Sequence, residues 1–122
     1  MQIDPPQQRG KIAEYSALVY LKQHGLEELA SNFSCRFGEI DLIMLDNTTI
    51  VFIEVRSRKN DQFMSAIESV DKYKVKKILR TSHYYLQQLK HSYESCRFDI
   101  LTLTGKIDSP RIEWLKNAFS DD

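Results

Sequence analysis

Two acidic residues interrupt apolar segments that otherwise have the composition of β-strands. Asp41 lies within residues 40–45, and Glu54 lies within residues 50–55. Residues 46–49 between them are turn formers, so the pattern predicts a β-hairpin. If Asn47 and Thr48 are the two loop residues, Asp41 faces Glu54 across the hairpin. Directly opposed residues have Cβ atoms roughly 4.5–5.5 Å apart. Two carboxylates at one point of a mostly apolar face are costly unless a proton or a divalent cation neutralises them.

A basic residue accompanies the second acid. Arg56 lies two residues after Glu54 and therefore projects from the same strand face. Metal-dependent phosphodiesterases use such a layout, in which Asp41 and Glu54 would bind Mg²⁺ or Mn²⁺ and a cation beside them would stabilise charge on the phosphate. A simpler interpretation stays open, because Glu39 faces Arg56 in the same register and could form a cross-strand ion pair with it. Arginine also stays protonated in proteins and cannot act as a general base.

Hydrophobic periodicity predicts the elements that hold these residues. Both faces of the hairpin are apolar, so helices must cover both sides of the sheet. Asp71 is a good N-cap for the second helix. The predicted elements are a helix over residues 9–24, a strand over 28–35, the hairpin over 38–56, a polar connection over 57–70, a helix from Asp71 to about Lys90, and strands over 97–103 and 111–115.

The bulk composition is that of a single globular domain. The 122 residues, 42% of them hydrophobic, predict one domain over 1–122, with a flexible leader over 1–8 and a tail over 117–122. No apolar run approaches membrane-spanning length and no signal-peptide pattern is present, so we expect a cytoplasmic protein without membrane contact. Zero net charge argues against a histone-like binder, and any nucleic-acid affinity must come from a local patch.

Such a patch is predicted on the second helix and in the loop before it. Lys72, Lys76 and Arg80 recur at intervals of four residues and therefore share one helix face. They could neutralise phosphates, DNA being the favoured partner, although a charged helix face is more often simply solvated. The candidate nucleic-acid-binding residues are Arg58, Lys59, Lys72, Lys76, Lys77 and Arg80.

A series of spaced residues supports a family resemblance. The series comprises Gly10, Glu14, Ala17, Tyr20, Leu21 and Gly25 in the first helix, then Asn32, Gly38 to Ile43, Phe52 to Arg56, Arg58, Ser69, Val70, Lys74 and Arg97 to Asp99. In this pattern the chain resembles the YraN-like uncharacterised bacterial proteins, which are grouped with the PD-(D/E)XK nuclease superfamily. The resemblance covers nearly the whole chain.

The resemblance implies a fold and a set of site residues. The fold would be a restriction-endonuclease-like α-β-β-β-α-β sandwich, an α/β architecture with a mixed sheet and helices on both faces. Asp41 and Glu54 would be the metal-binding acids of the superfamily, and Glu14 the additional acid from the first helix. Arg56 stands at the position of the superfamily's lysine. These four positions, with Lys74, are the five candidate catalytic residues.

The chain departs from the superfamily pattern at three positions. Ile40 replaces the proline before the first acid, Arg56 replaces the lysine, and Met64 stands where relatives usually have glycine. Lys74 could compensate, since some members of the superfamily are thought to take their lysine from this helix. It falls in the first helical turn, where the helix dipole disfavours positive charge, so an anion nearby is expected. The alternative is a solvated surface lysine.

Three functional hypotheses follow. The first is a metal-dependent nuclease that binds nucleic acid and hydrolyses phosphodiester bonds in DNA processing or repair, with a homodimer spanning a duplex and branched DNA as one conceivable substrate. The second is a nuclease fold with weak or no catalysis that serves as a nucleic-acid-binding accessory protein. The third is a protein-interaction module in which the acids have no catalytic part.

Overall fold

The computed structural model has one five-stranded sheet with helices on both faces, and it describes residues 5–59, 63–90 and 92–120. The sheet order follows the chain, with β3 and β4 parallel and the other neighbouring strands antiparallel. The predicted α/β class, with its mixed sheet and its helices on both faces, is therefore confirmed. The elements are α1 (Pro5–Gln23), β1 (Glu27–Cys35), β2 (Gly38–Asp46), β3 (Thr49–Arg58), α2 (Phe63–Glu68), α3 (Lys72–Gln88), β4 (Ser95–Thr104) and β5 (Arg111–Phe119).

The structure differs from the expected elements by more than two residues in three places. Helix α1 already includes residues 5–8, which the sequence assigns to the leader 1–8. Strand β5 reaches Phe119, inside the expected tail 117–122, because its end still pairs with β4. The six-residue helix α2 lies in the expected polar connection and is too short for periodicity to reveal. Residues 1–4 and 121–122, and the side chain of Met64, lie outside the described part.

The β2–β3 hairpin has the predicted register near its turn. Leu45 pairs with Ile50, and the ladder continues to Leu42 opposite Ile53. Beyond that point the side chain of Asp41 takes part in the pairing, because its Oδ2 accepts a hydrogen bond of 2.8 Å from the Val55 N–H. Asp41 therefore stands where regular pairing of the two strands ends.

The alternation of faces along β2 is also interrupted at Asp41. Ile40 packs in the same hydrophobic cluster as Ile43, whereas strict alternation would place these two residues on opposite faces. Across from Asp41 on β1, Asn32 has a φ of 50°, a left-handed conformation that asparagine tolerates better than most residues. This local irregularity turns the Asp41 side chain out of the regular pattern.

Helices α1 and α3 cover opposite faces of the sheet. The cluster on one face joins α1 to the sheet through Ala13, Ala17 and Leu21, which pack with Leu42, Met44, Val51, Ile53, Val55, Leu101 and Leu103. The cluster on the other face joins α3 to the sheet through Ile78, which packs with Ile40, Ile43, Ile50, Phe52 and Phe98. No helix among the described residues is both long and apolar enough to cross a lipid bilayer.

The turn between β1 and β2 packs closely against α3 at Gly38. A Cβ atom at Gly38 would lie 3.1 Å from Thr81 Oγ1 and 3.5 Å from Lys77 Cβ, and the φ of 152° is one that glycine adopts far more readily than other residues. Glycine is therefore what allows the turn, and the start of β2, to lie directly on the helix.

We expect Gly38→Ala to lower the free energy of unfolding by about 1–3 kcal/mol, because the added methyl group must displace α3 and the backbone is strained. Gly10→Ala is the matched control. Nothing lies within 4 Å of a Cβ at Gly10, which is helical, so this change should raise stability by about 1 kcal/mol. Urea unfolding of both variants tests the pair, and equal changes of the same sign would contradict the proposed close packing.

Candidate functional site

A cleft lies at the end of the β2–β3 hairpin away from its turn, where residues of both α1 and α3 join the two strands. Its volume is about 240 Å³. The lining residues are Gly10, Ala13 and Glu14 from α1, Asp41 from β2, Glu54, Val55, Arg56, Ser57 and Arg58 from β3, and Lys74 from α3. All five candidate catalytic residues predicted from the sequence therefore line one cleft, which we call the acidic cleft.

Asp41 and Glu54 are in direct contact in this cleft. Their carboxyl groups form a hydrogen bond with each other, and Glu54 is only 3% exposed. Asp41 is half-buried and is held on its other side by the Val55 N–H. The two acids thus meet as expected, although regular pairing of β2 with β3 ends just before them.

Two cations lie beside Glu54, one from β3 and one from α3. Arg56 Nη2 lies 2.8 Å from Glu54 Oε2, and Lys74 Nζ lies 3.3 Å from the same oxygen. Arg56 therefore pairs with Glu54 on its own strand, and no ion pair within the described residues joins it to the alternative partner Glu39. Asp71 caps α3 as predicted by accepting a 2.9 Å hydrogen bond from the Lys74 N–H, which places Lys74 in the first turn. Lys74 therefore lies beside the carboxyl group of Glu54.

Burial and repulsion raise the pKa of Glu54 to about 8. Removal from water is the largest cause, and the charge of Asp41 and the hydrogen bond to it add to the shift. Arg56 and Lys74 oppose it without cancelling it. Glu54 therefore retains a proton at neutral pH, which reduces the repulsion between the two acids.

Glu14 adds a third carboxyl group from α1. Burial raises its pKa, and repulsion from Asp41 raises it further, whereas a hydrogen bond with the Asn32 side chain lowers it. Asn32 is thus a site residue whose role the sequence does not disclose. Its contact with Glu14 depends on how α1 packs over β1.

Two buried polar atoms of the acidic cleft lack a hydrogen-bond partner among the described residues. They are Arg56 Nε and Ser57 Oγ. Buried polar groups are nearly always paired, so unpaired ones at a cleft are expected to meet a water molecule, an ion or a ligand. Sequence reasoning missed Ser57, because a serine on a strand carries no spacing signal.

The donor atoms of the acidic cleft match the ligand preferences of Mg²⁺ and Mn²⁺. Asp41 and Glu54 offer carboxylate oxygens, which hard divalent cations prefer, with Glu14 close to Asp41. Within the described residues, no three His, Cys, Asp or Glu side chains are arranged as a ready-made metal group. Magnesium commonly binds through one or two carboxylates and keeps several waters, so the Asp41–Glu54 pair fits such an ion.

The predicted nucleic-acid-binding residues are divided between the linings of two clefts and the surface outside them. Lys76, Lys77 and Arg80 line a second cleft, of about 370 Å³, together with Arg36, Phe37 and Tyr73. Arg58 lines the acidic cleft, and Lys59 and Lys72 are exposed outside the linings of both clefts. Arg36 and the two aromatic residues are absent from the sequence-based set. The β1–β2 turn that carries Arg36 reaches α3 only because of the close packing at Gly38.

Comparison with known proteins gives consistent matches over most of the chain. Residues 13–103, which include all five acidic-cleft candidates, match the profile described as uncharacterised protein family UPF0102. Three relatives carry the name UPF0102 protein. One from Psychromonas ingrahamii is 45% identical over 113 residues, covering 93% of this chain and 90% of its own. One from Legionella pneumophila strain Corby is 46% identical over 114 residues, covering 93% and 95%. One from Pseudomonas fluorescens is 44% identical over 115 residues, covering 93% and 94%.

The raised pKa of Glu54 predicts a specific pH dependence of stability. Folded Glu54 keeps its proton up to about pH 8, whereas the unfolded chain loses it near 4.5, so the unfolded state binds fewer protons between these values. The free energy of unfolding should therefore fall as pH rises from about 4.5 to about 8, by on the order of a few kcal/mol. In Glu54→Gln this contribution is absent.

Urea unfolding at several pH values between 5 and 9 measures the effect. The stability of the parent relative to Glu54→Gln should decline across this range. Glu27→Gln, an acid-to-amide change at an exposed position of β1, should follow the parent. Parallel profiles for the parent and Glu54→Gln would show that Glu54 titrates normally.

Proposed function

The chain belongs to the uncharacterised protein family UPF0102, and we propose that it binds nucleic acid and hydrolyses phosphodiester bonds with Mg²⁺ or Mn²⁺. One observation carries the proposal. Two carboxyl groups, those of Asp41 and Glu54, touch in a cleft where Lys74 from another element reaches the second of them. This acid, acid and lysine combination is the layout of the PD-(D/E)XK nucleases, and the proposal includes that superfamily assignment.

Each residue of the acidic cleft receives a role. Asp41 and Glu54 would hold the cation through their oxygens, and Glu14 would adjust the charge of the pair from α1. A bound divalent cation lowers the pKa of a coordinated water and polarises the phosphoryl oxygen. Lys74 Nζ, beside Glu54, would bind an oxygen of the reacting phosphate and orient the attacking water.

Arg56 is assigned a role in charge stabilisation and not in proton transfer, since its guanidinium keeps its protons. Its unpaired Nε and the unpaired Ser57 Oγ are hydrogen-bond donors at the acidic cleft. Both suit the non-bridging oxygens of a phosphate, which would satisfy them. This donor set supports an anionic substrate.

A second candidate function is nucleic-acid binding without efficient hydrolysis, as an accessory protein. Arg56 and Lys74 both contact Glu54 and would compete with a divalent cation for its oxygens. An arginine at the lysine position favours this alternative as well. The two candidates share the binding surface and differ in the response to a divalent cation.

The proposal extends to location and assembly. We place the activity in the cytoplasm, with DNA as the favoured nucleic acid. Each chain carries one acidic cleft among its described residues. A homodimer would therefore supply the two clefts that cutting both strands of a duplex requires.

Metal binding should depend on both acids. With Mn²⁺ in place of EDTA, the melting temperature of the parent should rise by several degrees, because a ligand that binds the folded state at 100 times its Kd contributes about 2.7 kcal/mol. Asp41→Asn and Glu54→Gln should lose this rise, whatever their melting temperatures in EDTA, and Glu27→Gln should keep it. A parent that Mn²⁺ leaves unchanged would argue for the accessory protein.

Cleavage should follow the same pattern. The parent should cut labelled single-stranded, duplex or four-way-junction DNA with Mn²⁺ and not in EDTA. Asp41→Asn and Glu54→Gln should each lose at least about 100-fold in rate, because a missing electrostatic stabiliser costs roughly that much. Equal cleavage by the parent and both variants would indicate a contaminating nuclease.

The two basic residues should separate in their effects. Lys74→Met should lower the cleavage rate by about 100-fold or more with little change in oligonucleotide affinity, whereas Arg56→Lys should stay within about tenfold of the parent. Lys22→Met, which removes a lysine that pairs with Glu28 on the surface, serves as control. If Lys74→Met cleaves at the parent's rate and Arg56→Lys loses cleavage activity, the roles assigned to the two residues must be exchanged.

A further inference from the structure

The second cleft lies between the β1–β2 turn and one face of α3, and we call it the α3 groove. Its lining residues are Arg36, Phe37, Tyr73, Lys76, Lys77 and Arg80, around a volume of about 370 Å³. We propose that the α3 groove binds an unpaired nucleotide of a single-stranded nucleic-acid segment, through base stacking on its aromatic rings and phosphate contacts with its cations. This inference rests on the proposed function, since it names the substrate class of the same protein.

The groove is built by two elements that the fold holds in fixed relation. Tyr73, Lys76, Lys77 and Arg80 follow the spacing i, i+3, i+4 and i+7 and therefore share one face of α3. Gly38 lies against Lys77 and brings the turn with Arg36 and Phe37 to that face. The groove is thus pre-formed in the free protein.

The charges of the groove call for an anion. Four of its six lining residues are basic and none is acidic. Within the described part of the chain, no ion pair engages Arg36, Lys76, Lys77 or Arg80. The chain has no net charge, so this excess is local. A run of phosphates is the polyanion that such a stripe of cations would neutralise.

The aromatic rings distinguish a nucleic acid from other polyanions. Tyr73 is 69% exposed, with Lys77 Nζ 4.6 Å from its ring centroid, and the Arg36 Cζ atom lies 4.8 Å from the ring centroid of Phe37. Phe37 is half-buried and is supported edge-on by Tyr84 at 6.2 Å. Stacking on exposed aromatics beside cations is how proteins hold single-stranded nucleic acid without reading its sequence. A paired base in a duplex has its faces covered by its neighbours, so the rings select unpaired nucleotides.

The α3 groove and the acidic cleft are adjacent along two elements. Tyr73 lines the groove, and the next residue, Lys74, lines the acidic cleft. On β2, Gly38 contacts α3 at the groove, and Asp41 follows three residues later, which is roughly 10 Å along a strand. A nucleic-acid strand bound in the α3 groove would therefore extend to the carboxyl groups of Asp41 and Glu54. The substrate class inferred is a nucleic acid with a single-stranded segment beside the bond that is cut.

Binding of a fluorescent single-stranded oligonucleotide, compared with a duplex of equal length by anisotropy in EDTA, tests the proposal. The parent should bind the single strand more tightly. Tyr73→Ala should weaken single-strand binding by roughly 5- to 100-fold, the usual effect of removing a stacking ring, and should change duplex binding much less. Tyr73→Phe keeps the ring and should stay within about twofold of the parent.

A matched control is available on α1. Tyr15 is also 69% exposed but lies outside the groove, so Tyr15→Ala should bind as the parent does. Arg36→Gln and Arg80→Gln should each lower the slope of log Kd against log salt by roughly 0.7 for a single strand, the contribution of one phosphate contact. Lys22→Gln should leave the slope unchanged.

Three results would overturn the groove assignment. They are unchanged single-strand affinity in Tyr73→Ala, equal losses for single strand and duplex, and displacement of the oligonucleotide by polyglutamate at matched charge. Because EDTA removes the cation, the test is independent of cleavage. If the parent cleaves with Mn²⁺ and Tyr73→Ala binds single strands as tightly as the parent, the groove assignment is refuted and the hydrolysis proposal is not. If the variants change binding as expected but the parent does not cleave, the hydrolysis proposal is refuted and the groove assignment is not.

Discussion

The contact between the carboxyl groups of Asp41 and Glu54 imposes the main constraint on this structure. Glu54 is almost fully buried where it meets Asp41, and the repulsion between the two acids is reduced in three ways. Glu54 keeps a proton, the Val55 N–H donates to Asp41, and two cations approach Glu54. Regular β2–β3 pairing ends at this point, because the Asp41 side chain replaces backbone pairing with Val55. The strand irregularity is therefore a consequence of where the acids lie.

The two-sided cover of the sheet explains why charges from distant parts of the chain converge on these acids. Both faces of the central strands are apolar, so α1 packs on one face and α3 on the other. Each helix extends to the end of the hairpin and contributes one charged side chain there, Glu14 from α1 and Lys74 from α3. The burial that stabilises the fold also raises the pKa of Glu54. Stability and the unusual electrostatics of the site have the same origin.

Helix α3 links the two clefts. Its first turn is set by the Asp71 cap, which orients Lys74 toward the acid pair. The neighbouring helix face carries Tyr73 and Lys77 and meets the β1–β2 turn at Gly38. A single rigid element thus fixes the distance between a candidate reaction site and a candidate binding surface. The β2 segment from Gly38 to Asp41 also connects the two clefts. Both α3 and β2 therefore fix the distance between them.

Short-range information in the sequence determined much of this protein. The hairpin register near the turn, the closeness of Asp41 to Glu54 and the Asp71 cap follow from turn residues and helix periodicity, which act over a few residues, whereas the exact orientation of Asp41 does not. Only the tertiary structure decided the partner of Arg56, the contact of Asn32 with Glu14, and the place of Arg36 beside α3. Those contacts depend on how closely separate elements pack, which side-chain volume and one glycine control, and no local pattern carries that information.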